Sequence, residues 1–170
     1  MTERFYSGKI KTPIGELIVI VNDQGAVMRL DFDNDSRIHS AKTRITVTHY
    51  DDAAIRHVEQ QIHEYFARER RAFDLPLSPI GTDFQKNAWT ELAKVPYGTT
   101  VTYGELAERA GHIGSARAYG RINALNPISI IVPCHRVIGS DGRLTGFSGG
   151  LWKKEALLRL EGSLHQERLL

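Results

Sequence analysis

Pro133-Cys134-His135-Arg136 is where residue types and spacing in this 170-residue chain could do chemistry. The segment closes an apolar run, 128–132, so the thiol sits where a buried strand would emerge, beside a possible base and a cation. A free cysteine titrates at about 8.5, which leaves only a few per cent as thiolate at neutral pH. Lowering that value by about two units, roughly 2.7 kcal/mol, makes thiolate dominant, and a nearby His or Arg charge can do it. Adjacent residues rarely point at one another, so a His135–Cys134 contact calls for a bridging water. A lone cysteine is more often a small buried hydrophobe than a nucleophile. The residues alone leave a nucleophile, a packing cysteine and a Cys–His hydrolase all open.

The elements that must position this segment are well punctuated. Thr82-Asp83-Phe84-Gln85 has capping-box spacing and opens a helix that carries Phe84, Ala88, Trp89 and Leu92 inward, ending at Pro96-Tyr97-Gly98. Thr102-Tyr103-Gly104-Glu105 repeats that spacing and opens a short helix that stops at Gly111. After a turn over 111–114, Ser115 caps a helix over 116–125, and two short helices about a Gly-bounded turn match the helix-turn-helix pattern. Asn126-Pro127 breaks that helix, and a last one runs from Trp152 to Glu161. The first half reads differently. Stretches 4–11, 16–21 and 26–32, separated by Thr12-Pro13-Ile14-Gly15 and Asn22-Asp23-Gln24-Gly25, make a small antiparallel β-meander. A loop over 33–40 follows. Ile55, Val58, Ile62, Tyr65 and Phe66 then keep a helical period, 68–71 is a charged loop, and Leu75-Pro76-Leu77-Ser78-Pro79 reads as a linker. The fold class is therefore α/β in two parts, 1–78 and 79–170.

Bulk properties exclude several classes. A single cysteine rules out an internal disulfide and most structural zinc sites. His57 and His63, six apart on a helix, do not share a face, so neither a metal nor another cofactor is expected. No stretch approaches the roughly 18 apolar residues of a membrane span, and no secretory h-region follows Met1, which points to the cytoplasm. Residues 1–80 carry 11 Lys+Arg against 12 Asp+Glu, and residues 81–170 carry 11 against 8. If either half meets nucleic acid, it is the second.

One combination is specific: PCHR preceded by NP within NPISIIVPCHRVIG, followed by GFSGG and then KKE. Together with GTDFQKNAW, VPYGTTVTYGELA and SARAYG, it resembles the O6-alkylguanine-DNA alkyltransferases over residues 81–161. The first half is only loosely similar. The resemblance implies an RNase H-like first domain. It also implies one-time transfer of an alkyl group from O6-alkylguanine, and from O4-alkylthymine, in double-stranded DNA to a cysteine of the protein. On that resemblance Cys134 is similar to the alkyl acceptor, activated through water by His135, which Glu161 orients. Tyr103 is similar to the phenol that protonates guanine N3, and Asn126 to the residue fixing the turn beneath the site. Ser148 and the backbone of Cys134 and Val137 resemble groups that hold the flipped base, with Phe147 packing on it. Arg117 resembles the arginine that fills the gap in the DNA stack, and Thr100, Arg121 and Arg136 are expected among the DNA contacts. The protein would act as a monomer, with cooperative loading on DNA left open.

Departures from the family pattern bear on DNA affinity. Phe147 stands where many members have Tyr. Arg121, Ile122 and Leu125 replace small residues in the recognition helix, and Ala124 stands in place of Gly. Bulk there would limit approach to the minor groove. The rival reading from another class is a non-catalytic damage-binding protein or regulator. A damage sensor of this family would lack the acceptor cysteine. A regulator would expose polar base readers where Ala116, Ala118 and Gly120 stand.

Overall fold

The computed structural model describes residues 3–33, 49–147 and 149–164. Two compact units divide it, Met1–Ile80 and Gly81–Leu170. Among the described residues, no helix is long and apolar enough to cross a membrane.

Three strands of the first unit form the expected meander: β1 (Phe5–Thr12), β2 (Gly15–Asn22) and β3 (Val27–Phe32), each antiparallel to the next. Thr12 pairs with Gly15 across Pro13-Ile14, and the Thr12 hydroxyl donates to the Gly15 carbonyl at 2.6 Å. β2 is central and reads LIVIV because both of its faces are covered. A fourth strand, β4 (His49–Tyr50), runs parallel to β1, so the sheet is mixed rather than a pure meander. Helix α1 (Arg56–Phe66) buries Ile55, Val58, Ile62 and Tyr65 completely. It approaches β1 where Gly8 stands, since a Cβ there would meet Ile55 Cγ1 at 2.5 Å. His57 Nε2–H donates to the Gly25 carbonyl at 2.8 Å and His63 Nε2–H to the Lys11 carbonyl at 3.1 Å. Both histidines thus tie the helix to the sheet. The expected linker also joins this sheet: Val27 N–H donates to Pro76 O and Ser78 N–H to Val27 O, each at 2.8 Å. Apart from Asp33, the loop expected over 33–40 lies outside the described residues.

Helices dominate the second unit: α2 (Asp83–Ala93), α3 (Tyr103–Arg109), α4 (Ala116–Ala124) and α5 (Leu151–Leu160). Thr82 and Gln85 form the complete capping box that their spacing called for. At α3 only half of the pair forms, with the Thr102 hydroxyl accepting from Glu105 N–H at 3.1 Å. Ser115 makes no side-chain cap at α4. Ala88, Trp89 and Leu92 point inward, and Trp89 Nε1–H donates to the Ile122 carbonyl at 3.1 Å, which locks α2 to α4. Phe84, expected inward, stays 43% exposed and stacks at the surface against His112 and Tyr119.

Residues 128–132 depart most from expectation. They are largely buried, but after a single β-bridge position at Ile128 they run as turns and a bend rather than as a strand, and Ile130 adopts a left-handed φ of 71°. None of the named strands pairs with them, and Asn126 satisfies part of their backbone. The strand emerges later, as β6 (Val137–Ile138), parallel to β5 (Val101–Thr102). This short pairing sets the first turn of α3 beside the end of the Cys134–Arg136 3₁₀ turn.

Candidate active site

Cys134 opens the 3₁₀ turn and is 5% exposed. Two asparagines hold its backbone. Asn126 Nδ2 donates to Val132 O at 2.8 Å and to Ile128 O at 3.3 Å, while its Oδ1 accepts from Ile128 N–H at 3.0 Å. Asn123 Nδ2, from within α4, donates to the Cys134 carbonyl at 3.2 Å, and Val137 N–H donates to the same carbonyl. Both contacts fix the orientation of the Cys134 peptide within the turn.

His135 is fully buried, and its Nε2 lies 2.6 Å from Glu161 Oε2 at the end of α5. A carboxylate at a helix C-terminus is opposed by the helix dipole, so other charges must hold it there. Arg136 supplies them: Nε donates to Glu161 Oε1 at 2.8 Å and Nη2 to Oε2 at 3.0 Å, while Nη1 donates to the Val95 carbonyl at 2.7 Å. Burial alone would push Glu161 up. Its bonds and charge contacts with His135 and Arg136 overcome that and hold its carboxyl down at about 2. Burial also pushes His135 below its ordinary range; Glu161 pulls it back, and the charges of Arg136 and Lys154 oppose that pull. We assign a neutral imidazole whose Nε2–H donates to Glu161. Nδ1 is then a basic lone pair, buried with no protein partner among the described residues.

Arg136, expected to touch DNA, is instead 6% exposed, with Nε, Nη1 and Nη2 each donating within the fold, to Glu161 and Val95. Glu161 is likewise not the solvated helix end that its position alone would suggest.

Lys154 was missed by sequence reasoning. It is fully buried, and Nζ donates to Val137 O at 2.6 Å and Thr145 O at 2.8 Å. Desolvation lowers its ammonium to about 8, with the Cys134 charge pulling the other way. Its signal was its place on the apolar face of α5, three and four residues before Leu157 and Leu158. Asn123 had a signal too, as a poor helix former in the interior of α4. Val137 is completely buried; its N–H donates to Cys134 O and its carbonyl accepts from Lys154.

Tyr103, in the first turn of α3, is half-buried, and its hydroxyl lies 3.3 Å from Thr145 O and 3.1 Å from Thr145 Oγ1. Phe147 is half-buried, as is Thr100; Ser148 lies outside the described residues. On α4, Arg117 and Arg121 are exposed and make no ion pair among the described residues. Ile122 is 8% exposed and faces the core, so the expectation that it crowds the outer face is corrected. That face carries Ala116, Ala118 and Ala124, with Leu125 at its end.

A buried Cys–His–Glu–Arg constellation carried with a helix-turn-helix defines a thiol site built into a nucleic-acid-binding class of domain. Comparison with known proteins agrees. The model of the 6-O-methylguanine DNA methyltransferase ribonuclease-like domain matches residues 5–79, and that of the same family's DNA binding domain matches residues 83–163. The methylated-DNA–protein-cysteine methyltransferase of Methanosarcina acetivorans is 42% identical over 158 residues, spanning 93% of this chain and 99% of its own. That of Mycobacterium tuberculosis is 51% identical over 118 residues, 68% of this chain and 72% of its own. Among solved structures, M. tuberculosis O6-methylguanine methyltransferase matches with a TM-score of 0.81 at 40% identity, covering 95% of this chain and 94% of that one. M. tuberculosis OGT in complex with DNA matches at 0.82 and 41% identity, covering 94% and 93%. The chain belongs to the 6-O-methylguanine-DNA methyltransferase family.

Proposed function

We propose that this protein repairs DNA by direct reversal, moving the alkyl group of O6-alkylguanine in double-stranded DNA onto Cys134 Sγ once and irreversibly. The observation that carries the assignment is the buried His135: Nε2–H committed to an ionised Glu161, and Nδ1 left as a base on the residue that follows the one thiol of the chain. A bridging water would pass the thiol proton to Nδ1. The thiolate then attacks the alkyl carbon, the S–C bond forms, and the C–O6 bond breaks with its electrons going to guanine. Tyr103 O–H gives its proton to N3, neutralising charge where it develops. A thioether results, and no group in the site can cleave it.

The base must leave the duplex to reach a cysteine that is 5% exposed. Arg117, free on the outer face of α4, is suited to fill the gap, and Arg121 one turn on is suited to a phosphate. We place the reaction in the reducing cytoplasm, by a monomer, because one chain supplies every group. No observation favours a non-catalytic damage binder.

Intact-mass measurement after mixing with excess O6-methylguanine duplex tests the proposal. One methyl, about 14 Da, should appear on the peptide containing Cys134 and nowhere else, and Cys134→Ser should remain unmodified while still binding DNA. Sustained turnover would refute it.

A further inference from the structure

We propose that Thr145 is a positioning residue for the proton donor, its hydroxyl holding the Tyr103 oxygen and stabilising the phenolate left when guanine N3 takes the proton. The inference rests on the alkyl-transfer reading above. Tyr103 OH has two neighbours, both from Thr145: the carbonyl at 3.3 Å and Oγ1 at 3.1 Å. A carbonyl can only accept, whereas either hydroxyl could donate to the other, and we assign the phenol proton to Thr145 O. Oγ1–H is then free to donate to the phenol oxygen. Among the described residues Oγ1 has no other partner.

Each bond suits its task. The phenol–carbonyl contact is long and weak, so the proton is readily surrendered to a better acceptor. Its loss does not strand the carbonyl, because Lys154 Nζ also donates to Thr145 O at 2.8 Å. The hydroxyl–phenol bond behaves oppositely, since it strengthens as the oxygen becomes an anion. The proton moves from Tyr103 to N3 as the C–O6 bond breaks, and solvent later returns one to the phenolate. Thr145 itself gains and loses nothing.

Lys154 also explains why Thr145 is in place. Its ammonium, anchored on Val137 O within β6, grips Thr145 O from the buried side. Tyr103 is seated from the opposite direction by the β5–β6 pairing, and Gly120 of α4 lies against its ring, where a Cβ would stand 3.6 Å from Cδ1. The phenol oxygen is therefore presented to Thr145 by elements that do not depend on the Thr145 hydroxyl.

The test is a cycle of Thr145→Val, Thr145→Ser and Tyr103→Phe in the full chain, read by single-turnover repair of O6-methylguanine duplex, by DNA affinity, and by iodoacetamide alkylation of Cys134. Losing a hydrogen bond to a developing anion should slow repair by Thr145→Val roughly ten- to a hundredfold. DNA affinity and the iodoacetamide rate should hold, and Thr145→Ser should restore most of the repair rate. In a Tyr103→Phe background, Thr145→Val should slow repair no further. An equal loss with and without the Tyr103 hydroxyl would overturn the inference, as would a Ser variant as slow as Val. If the wild-type chain transfers its methyl but Thr145→Val is unimpaired, this inference alone fails. A wild-type chain that takes no methyl sinks both it and the functional reading.

Discussion

Replacing Glu161 by Gln keeps the shape of the side chain and removes its charge, which puts the buried constellation under direct strain. Three donors converge on that carboxylate: His135 Nε2 at 2.6 Å, Arg136 Nε at 2.8 Å and Arg136 Nη2 at 3.0 Å. The amide of Gln has one acceptor oxygen, so at least one of these donors faces an N–H instead. Arg136 cannot escape to water, because its side chain is 7% exposed and Nη1 is bound to Val95 O. Breaking a buried pair by removing one partner costs about 3–5 kcal/mol. Proton linkage points the same way: a carboxyl held below its ordinary value in the fold adds stability that only its ionised form has. The folded value is the lower one, so this stability is complete above about pH 5 and is lost as pH falls towards 2.

Both tryptophans of the chain, Trp89 and Trp152, lie in the second unit, so urea unfolding followed by their fluorescence reports on the site's own scaffold. Glu161→Gln should be less stable by about 3 kcal/mol at pH 7, with the gap narrowing to roughly half by pH 3, where the carboxyl of the unfolded wild-type chain has taken up its proton while the folded one still resists it. Glu161→Gln should also slow alkylation of Cys134 by iodoacetamide near neutral pH, and adding Arg136→Gln should recover part of the stability, since the stranded guanidinium is gone, without recovering that rate. A gap under about 1 kcal/mol at pH 7, or one that persists unchanged at pH 3, would refute the claim that this carboxylate is a buried anion.

Two further substitutions test the neighbouring parts. Arg117→Ala should slow repair of duplex DNA far more than reaction with free O6-benzylguanine, which needs no flipping; equal losses on both would mean that Arg117 merely supports the fold. Asn126→Ala leaves the Ile128 N–H buried without its acceptor and takes one donor from Val132 O, and should cost about 2–4 kcal/mol in urea unfolding. A loss below about 1 kcal/mol would show that the turns beneath Cys134 do not depend on that amide.

Much of the architecture was legible because its signals are local. The Thr82–Gln85 capping box, the glycines around the α3–α4 turn and the Asn126-Pro127 break each set backbone geometry within a few residues, and each stands in the structure where its spacing put it. The period of α1 marked Ile55, Val58, Ile62 and Tyr65 as buried for the same reason. The apolar run 128–132 misled because burial and strand pairing usually coincide; here Asn126 satisfies backbone groups that a neighbouring strand would have taken.

By itself, the sequence determined the helix-turn-helix, the meander and the place of the lone thiol, since propensity, capping and hydrophobic period act over one or two turns of chain. Only the tertiary structure decided where charged side chains point. Arg136 turned inward because Glu161 lies 25 residues further on at the end of α5, and that partner exists only once α5 has docked on the 3₁₀ turn. Lys154 is buried because the carbonyls of Val137 and Thr145, 17 and 9 residues before it, are brought to one point. A charge enters a protein interior only where partners meet it, and partners drawn from distant segments leave no periodic mark in the sequence.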